Sequence, residues 1–243
     1  MGLELFLDLL SQPCRAVYIF AKKNNIAFDF KFVNLRTGQQ YSEEFGKVNL
    51  LRRVPALKDA DFVLAESVAI LKYLAGKYQT PNHWYPSELQ LRSRVDEYLA
   101  WQHMAIRFQG SRLFLFKGLL PLLTGQPIPK EQMDEAVEGL QSSIQLLEDK
   151  FLQDRPYIAG HEVSLADLVA IVELMQPLGV GFDPFADRPK LAAWRDRVKA
   201  ALGKELFDEA HERVMKSAEA LSNLDVQSPA MQRLAKSLKK RYN

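Results

Sequence analysis

Two side chains near the start of the chain have the spacing of a reactive motif. Ser11 and Cys14 flank Gln12 and Pro13, which gives a redox Cys-x-x-Cys spacing with serine in place of the first cysteine. Cys14 is the single cysteine of the chain, so a disulfide cycle within this motif is excluded. Serine is also a preferred N-cap, and proline is tolerated in the first helical turn. Ser11 is therefore either a reactive hydroxyl or a helix cap, and Cys14 is either a catalytic thiol or a small core residue.

A second group of polar residues lies where a helix begins. Glu66 and Ser67 open an amphipathic segment, and free backbone amides with a serine hydroxyl at such a start can bind a carboxylate. The alternative is an ordinary cap followed by the helix. Pro55, a short distance upstream, would in isolation suit the start of an edge strand.

The histidines of the chain do not form a metal motif. No metal-ligand spacing occurs among the four of them, which are His83, His103, His161 and His211. We therefore predict no metal site. His103 is expected to pack or to hydrogen-bond rather than to act as a base.

The composition is that of an ordinary globular protein. Of the 243 residues, 47% are hydrophobic and 26% are charged. The net charge of +2 argues against nucleic-acid binding, because proteins that bind nucleic acids usually carry a strong excess of basic residues. The chain shows neither a secretory signal nor a run approaching the roughly 18 apolar residues of a membrane span. With one cysteine, the cytoplasm is the expected location.

Short strands and helices alternate in residues 1–78. Strands are expected at 3–8, 28–33, 53–58 and 62–65, with helices after Ser11 and after Glu66 and a loop at 38–40. A β-α-β unit requires parallel strands, whereas the hairpin adds antiparallel ones. The predicted fold of this domain is therefore a mixed four-stranded sheet with helices.

Only helical patterns follow a linker at residues 79–87. Apolar residues repeat at helical spacing from Met133 to Phe151, and Ser164 with Asp167 has the spacing of a capping box. Residues 88–243 are thus expected to form an all-helical domain. Its basic tail from Ser228, with Lys236, Lys239, Lys240 and Arg241, is either a lid over a site or a solvated end.

Three stretches of the sequence resemble the theta class of cytosolic glutathione transferases. They are SQPCRAVYIFAKKN, VPALKD followed by AESVAILKYL, and SLADLVAIVELMQP. The resemblance extends to about Leu202 and thins beyond it. It implies a thioredoxin-like domain that binds glutathione, a helical domain that binds the electrophile, and a homodimer.

The resemblance also implies roles for individual residues. Ser11 would be the catalytic group, and its hydroxyl would stabilise the glutathione thiolate. Lowering a thiol pKa by ~2 units requires roughly 2.7 kcal/mol, and a hydrogen bond to an ionised acceptor contributes about 1.5–3 kcal/mol. The glutathione site would comprise Gln12, Gln40, Tyr41, Arg53, Val54, Pro55, Glu66 and Ser67. The electrophile site would comprise His103, Met104 and Arg107.

Within that glutathione site, each end of the tripeptide has an expected partner. Val54, before a cis Pro55, would offer its backbone to the cysteinyl part. Ser67 would take the γ-glutamyl carboxylate, and Glu66 would lie near the ammonium. The glycine carboxylate would be reached by Gln40, which donates only a neutral hydrogen bond, and by Arg53.

Arg107 is expected on the long first helix of the second domain. In the family this segment faces the cleft, where a fixed cation would favour anionic leaving groups. A solvated helix arginine is the alternative.

The expected function is transfer of the glutathione sulfur to small hydrophobic electrophiles such as alkyl halides and epoxides. Reduction of organic hydroperoxides is an expected side activity, and no bound cofactor is predicted. Two alternatives remain at this point. One is a non-catalytic glutathione-binding or carrier protein on the same fold, because a fold does not fix an activity. The other is a glutathione-dependent oxidoreductase that uses Cys14.

Overall fold

Alternating burial along the first strand determines which face of the sheet carries the core. In β1 (Leu3–Leu7) the three leucines are buried, while Glu4 and Phe6 are partly exposed. The computed structural model describes residues 2–242, so Met1 and Asn243, the outer ends of the two expected domains, lie outside the described residues.

The sheet is mixed, as predicted. Its other strands are β2 (Asp29–Phe32), β3 (Ala56–Asp59) and β4 (Phe62–Ala65), in the order β2-β1-β3-β4. β1 is parallel to β2 and antiparallel to β3, and β3 is antiparallel to β4. Leu5 pairs with Phe30 on one side and with Leu57 on the other, which places β1 at the centre of the domain.

Two helices of the first domain were predicted and one was not. α1 (Gln12–Lys23) and α3 (Ser67–Lys77) begin where expected. The loop prediction for 38–40 was incomplete, because Gln39–Tyr41 forms a 3₁₀ turn and α2 (Glu43–Val48) follows. α2 is capped by the Ser42 hydroxyl, which accepts a hydrogen bond from the Phe45 amide at 3.1 Å.

The remainder of the described chain is helical after turns between Lys77 and Leu89. The helices are α4 (Leu89–Trp101), α5 (Ile106–Phe114), α6 (Leu120–Thr124), α7 (Lys130–Leu146), α8 (Leu165–Leu178), α9 (Pro189–Leu202), α10 (Lys204–Met215), α11 (Ser217–Ser222) and α12 (Pro229–Tyr242). Wide π-helical turns continue α5 at Leu115–Leu119 and α7 at Leu147–Leu152.

One helix prediction was wrong in a way that concerns the site. The first helix of the second domain ends at Trp101, and Arg107 lies in the first turn of the next helix, α5. The backbone leaves the helical region at Ala105, where φ is −105° and ψ is −103°. Arg107 is therefore positioned by the turn at 102–105 rather than by a continuous helix.

The predicted capping box at the start of α8 is present. The Asp167 carboxylate accepts hydrogen bonds from the Ser164 amide at 3.0 Å and the Ser164 hydroxyl at 2.9 Å. It also accepts from the Ile158 amide at 2.8 Å and from the Trp194 indole at 2.9 Å. This one buried side chain thus joins α8, α9 and the segment before them.

The two domains share a continuous core. α1 packs against α8 and α10, and buried residues from both domains belong to one cluster. Polar bonds cross the same junction: Asp8 pairs with Arg213 at 3.0 Å, and the Tyr18 hydroxyl donates to Glu209. The start of α1 is therefore held from both sides.

Candidate active site

Ser11 lies at the junction of the two domains, and its hydroxyl makes no helix-capping hydrogen bond. A turn after β1 brings the Ser11 amide to the Asp8 carbonyl at 2.9 Å, and α1 begins at the next residue. The backbone of Ser11 is extended (φ −84°, ψ 127°), but its side chain makes no capping hydrogen bond. The capping interpretation of this hydroxyl is thus not supported, and the positive end of α1 lies beside it.

A largely apolar cavity of about 310 Å³ opens in front of Ser11. Both domains contribute to its walls, including α5, α8 and the C-terminal helices. Its lining residues are Leu10, Ser11, Gln12, Leu35, Arg36, Gln40, Ser111, Phe114, Leu115, Leu119, Gln176, Ser217, Leu221, Leu224, Met231 and Leu234. Such a cavity suits a small apolar ligand.

A second, smaller and polar cavity has a volume of about 120 Å³, and Pro13 in the first turn of α1 forms part of its wall. Its lining residues are Pro13, Asn49, Leu51, Arg53, Val54, Pro55, Ala65, Glu66, Ser67, His103 and Arg107. The Val54–Pro55 peptide bond is cis, as predicted. The N-terminus of α3 opens here with no side-chain cap, so its first amides can bind an anion.

Charged groups in the polar cavity come from both domains. Arg107 pairs with the buried Glu173 at 3.2 Å, so its positive charge is partly compensated. Burial and the Arg107 charge lower the pKa of His103, against the opposing effect of Glu66. Glu66 itself has a φ of 70°, a rare backbone conformation for a residue with a side chain.

The structure distributes the predicted glutathione residues over both cavities. Ser11, Gln12 and Gln40 line the apolar cavity, whereas Arg53 and the segments 54–55 and 66–67 line the polar one. Tyr41 lines neither: its side chain is exposed, and its carbonyl accepts a hydrogen bond from Arg52. Gln40 has a buried Oε1 with no hydrogen-bond partner among the described residues.

The three residues predicted for the electrophile site lie away from the apolar cavity. His103 and Arg107 line the polar cavity, and Met104 is 76% exposed and lines neither. His103 and Met104 lie in the turn at 102–105, which the sequence pattern did not reveal. Their assignment to the electrophile remains a prediction.

Cys14 lies one helical turn from Ser11 but in a different environment. It is completely buried, and burial raises the pKa of its thiol to about 12, against a lowering hydrogen bond from Ser11. A thiol in this state is not a nucleophile near neutral pH. The geometry favours the core interpretation of Cys14.

Sequence reasoning missed several residues that shape the apolar cavity, among them Arg15, Ser111 and Gln176. Gln12 donates from Nε2 to the Ser111 hydroxyl of α5 at 3.0 Å, and Arg15 donates to Gln176 Oε1 of α8 at 2.6 Å. An arginine within the apolar pattern of α1 was a usable signal for Arg15. Ser111 and Gln176 carry no local signal, because only tertiary packing brings them to Ser11.

Two kinds of feature are absent from the described residues. Within residues 2–242 no group of histidine, cysteine or acidic side chains could hold a metal ion. No described helix is long and apolar enough to cross a membrane.

Comparison with known proteins gives the family. Residues 7–76 match the glutathione S-transferase N-terminal domain, and residues 112–201 match the C-terminal domain. Glutathione S-transferase theta-1 of Gallus gallus is 52% identical in an alignment that covers 99% of each chain. The human theta-1 protein is 56% identical over 217 residues, covering 89% of this chain and 90% of the relative.

Solved structures agree with the sequence comparison. The apo form of human glutathione S-transferase T1-1 matches with a TM-score of 0.94 at 50% identity, with complete coverage of both chains. Human glutathione transferase theta-2 in complex with glutathione also matches at 0.94, with 49% identity and complete coverage. The chain belongs to the glutathione S-transferase family and is a theta-class enzyme that conjugates glutathione.

Proposed function

We propose that the Ser11 hydroxyl holds the sulfur of glutathione as a thiolate and that this thiolate attacks small electrophiles in the apolar cavity. The observation that carries the proposal is the position of Ser11. Its hydroxyl makes no helix cap and lines the apolar cavity, and Pro13, two residues further along, lines the polar cavity. A thiolate at this position would be stabilised by the hydrogen bond from the Ser11 hydroxyl and also by the dipole of α1, whose positive end lies beside it.

The polar cavity supports a definite orientation of glutathione. The γ-glutamyl carboxylate would bind the uncapped amides of α3 and the Ser67 hydroxyl, with its ammonium beside Glu66. The Val54 backbone would meet the cysteinyl part, and the sulfur would then pass Pro13 to reach Ser11. Arg53 and Gln40 remain the proposed partners of the glycine carboxylate.

The apolar cavity favours small, hydrophobic electrophiles, for which we propose alkyl halides and epoxides. Organic hydroperoxides would fit the same walls, and their reduction is a proposed side activity. A human theta-class transferase has been solved with the glutathione conjugate of 1-menaphthyl sulfate. In this chain α12 contributes Met231 and Leu234 to the cavity, which supports the lid interpretation of the tail. The side chains of Lys239, Lys240 and Arg241 lie outside the described residues.

Ser11→Ala tests the proposal. We expect ultraviolet titration to show that bound glutathione loses its thiolate absorbance near neutral pH, and turnover to fall at least about tenfold, because a charge-assisted hydrogen bond is removed. Glutathione affinity should change little, because the tripeptide's ends bind elsewhere. Ser11→Thr, which keeps a hydroxyl, should restore part of the thiolate signal.

The same titration separates the alternatives. A variant that retained its thiolate and its turnover would contradict the role of Ser11. A wild-type protein that bound glutathione without ever forming the thiolate would contradict thiolate stabilisation as the mechanism. Loss of turnover in Cys14→Ala, with Ser11→Ala active, would indicate the oxidoreductase.

We further propose a cytoplasmic homodimer. β4 is an edge strand with Phe62 and Val63 exposed at 46% and 42%, and Leu89 on α4 is 73% exposed. Exposed apolar side chains on a sheet edge favour a protein partner. Sedimentation velocity at micromolar concentration tests the dimer, and a monomer would contradict it.

A further inference from the structure

We propose that the Ser111 hydroxyl and the Gln176 amide form a leaving-group site in the apolar cavity. This site would receive the atom that gains negative charge as the glutathione sulfur attacks, namely an epoxide oxygen or a small halide. The inference rests on the proposed function, since it needs an attacking sulfur at Ser11. It assigns these two side chains a role in choosing among electrophiles.

The Ser111 hydroxyl is bonded differently from the neighbouring helical serines. A helical serine commonly donates its proton to the carbonyl one turn earlier. Ser143 does so to Gly139 at 2.9 Å, and Ser217, in the same cavity as Ser111, does so to Arg213 at 3.4 Å. Ser111 Oγ instead accepts a hydrogen bond from the buried Gln12, and its proton has no acceptor among the described residues.

The Gln176 amide is fixed with its nitrogen free. An arginine can only donate, so the 2.6 Å contact from Arg15 Nη2 must be to the amide oxygen. Arg15 is itself held in place, because it is completely buried and also donates to the Val172 carbonyl at 2.9 Å. The other end of the amide, Nε2, makes no hydrogen bond within the described part of the chain, and Gln176 lines the cavity.

Both donors therefore share one cavity with Ser11 and are positioned by α1. Gln12 hydrogen-bonds Ser111 on α5, and Arg15 hydrogen-bonds Gln176 on α8. The helix that begins beside Ser11, α1, therefore orients both donors. Most other walls of the cavity are leucine, phenylalanine and methionine. In such surroundings a hydrogen bond to a developing charge is stronger than in water.

The chemical step balances without any further reagent. The thiolate sulfur forms a bond to the epoxide carbon while the carbon–oxygen bond breaks, and the electron pair moves to the oxygen. Ser111 and Gln176 donate hydrogen bonds to this oxygen and keep their protons. The alkoxide then takes a proton from water. A departing chloride would accept the same two hydrogen bonds.

The experiment compares two electrophiles of similar size in the Ser111→Ala and Gln176→Glu variants. A terminal epoxide concentrates charge on oxygen, whereas an alkyl iodide releases a large, diffuse anion that accepts hydrogen bonds weakly. We expect kcat/KM for the epoxide to fall about tenfold or more in each variant, and that for the iodide to fall less than about threefold. Gln176→Glu keeps an oxygen for Arg15 and replaces the amide donor by a carboxylate, whose negative charge also disfavours a developing anion. Ser111→Ala removes a donor without adding a charge, so both variants are needed.

Ser143→Ala is the matched control, since it removes a buried helical hydroxyl outside both cavities. It should leave the ratio of the two rates unchanged. An unchanged ratio in Ser111→Ala and Gln176→Glu, whether both rates fall together or neither falls, would overturn the proposal. If one variant does not fold, the other still decides.

Failure of this proposal is distinguishable from failure of the proposed function. Ser111→Ala should retain the thiolate absorbance of bound glutathione, because Ser11 is intact. An epoxide rate that fell together with the thiolate signal would assign the loss to sulfur activation and would overturn the leaving-group site. A thiolate that survived in Ser11→Ala would contradict the proposed function alone.

Discussion

Ser11 and Cys14 show how burial separates two reactive residue types within one helical turn. Ser11 faces the apolar cavity, whereas Cys14 packs in the core with no exposed surface. If the serine and the cysteine exchanged places, their spacing would be unchanged, but the thiol would line the cavity and the hydroxyl would be buried. Side-chain environment, rather than the motif, therefore decides which residue can act.

Cys14→Ala should leave turnover within about twofold of wild type. The thiol cannot ionise at working pH, because burial raises its pKa to about 12. For the same reason a thiol reagent should label folded wild-type protein at pH 8 far more slowly than unfolded protein. Stoichiometric labelling of the folded protein within seconds would contradict the buried position.

The capping box of Ser164 and Asp167 was predicted accurately from sequence, and its spacing shows why. A cap depends on residues three apart, so its whole signal lies within the sequence window. The contacts from Ile158 and Trp194 could not be foreseen, since they depend on how α9 packs on α8. With these two contacts, the buried Asp167 carboxylate accepts four hydrogen bonds rather than only the two of the local cap.

Asp167→Ala should lower stability before it affects chemistry. It leaves the amides of Ile158 and Ser164 and the Trp194 indole unpaired in the interior, at a cost of about 3 kcal/mol or more. Thermal unfolding should shift down by roughly 6–12 °C. Kinetic constants measured well below the transition should remain near wild type.

Asp154→Ala provides the comparison, because Asp154 is fully exposed and, among the described residues, pairs only with Lys190 at 3.3 Å. Surface pairs of this kind contribute about 0–1 kcal/mol. A thermal shift as small in Asp167→Ala as in Asp154→Ala would show that the buried bonds contribute little.

Short elements and site walls were harder to predict than strands and caps. α2 spans only Glu43–Val48 and is too short for a periodic signal. The longer α10 was not identified either, although Phe207, Ala210 and Val214 are buried at helical spacing. The break before Arg107 has no proline or glycine to mark it. The residues near Ser11 that come from α5 and α8 are distant in sequence, so only the packed domains reveal them.

At the scale of the whole molecule, the active site depends on the domain junction. The first domain supplies Ser11, and the second supplies most of the apolar walls. Arg15 bonds both the carbonyls of Leu9 and Leu10, just before Ser11, and the end of α8. The position of Ser11 and the shape of the cavity are thus set by the same buried contacts.

His211 makes this junction sensitive to pH. It lies on α10, which packs against α1 and α8, and its ring is 1% exposed. Nδ1 lies 2.7 Å from the Phe207 carbonyl, and Nε2 has no partner within residues 2–242. Burial, reinforced by the positive charges of Arg15 and Lys199, lowers the pKa of His211 to about 3.

The sign of the effect on stability follows from proton binding. An unfolded histidine binds a proton below about pH 6.5, and the folded state does not bind it until the pH approaches the lowered pKa of His211. The free energy of unfolding should therefore fall as the pH falls through this window, by up to about 1.4 kcal/mol per pH unit. Above the unfolded pKa the contribution is complete and constant.

His211→Asn isolates this contribution, because its amide nitrogen takes the place of Nδ1 and can still donate to the Phe207 carbonyl but does not titrate. Between pH 7 and pH 5 wild type should lose about 2 kcal/mol of stability relative to the variant, as measured by urea unfolding. Groups that titrate equally in both proteins cancel in this difference. If the two stabilities changed in parallel, the His211 ring would have to accept its proton within the folded junction, and the packing of α10 against α1 would then be looser than the structure shows.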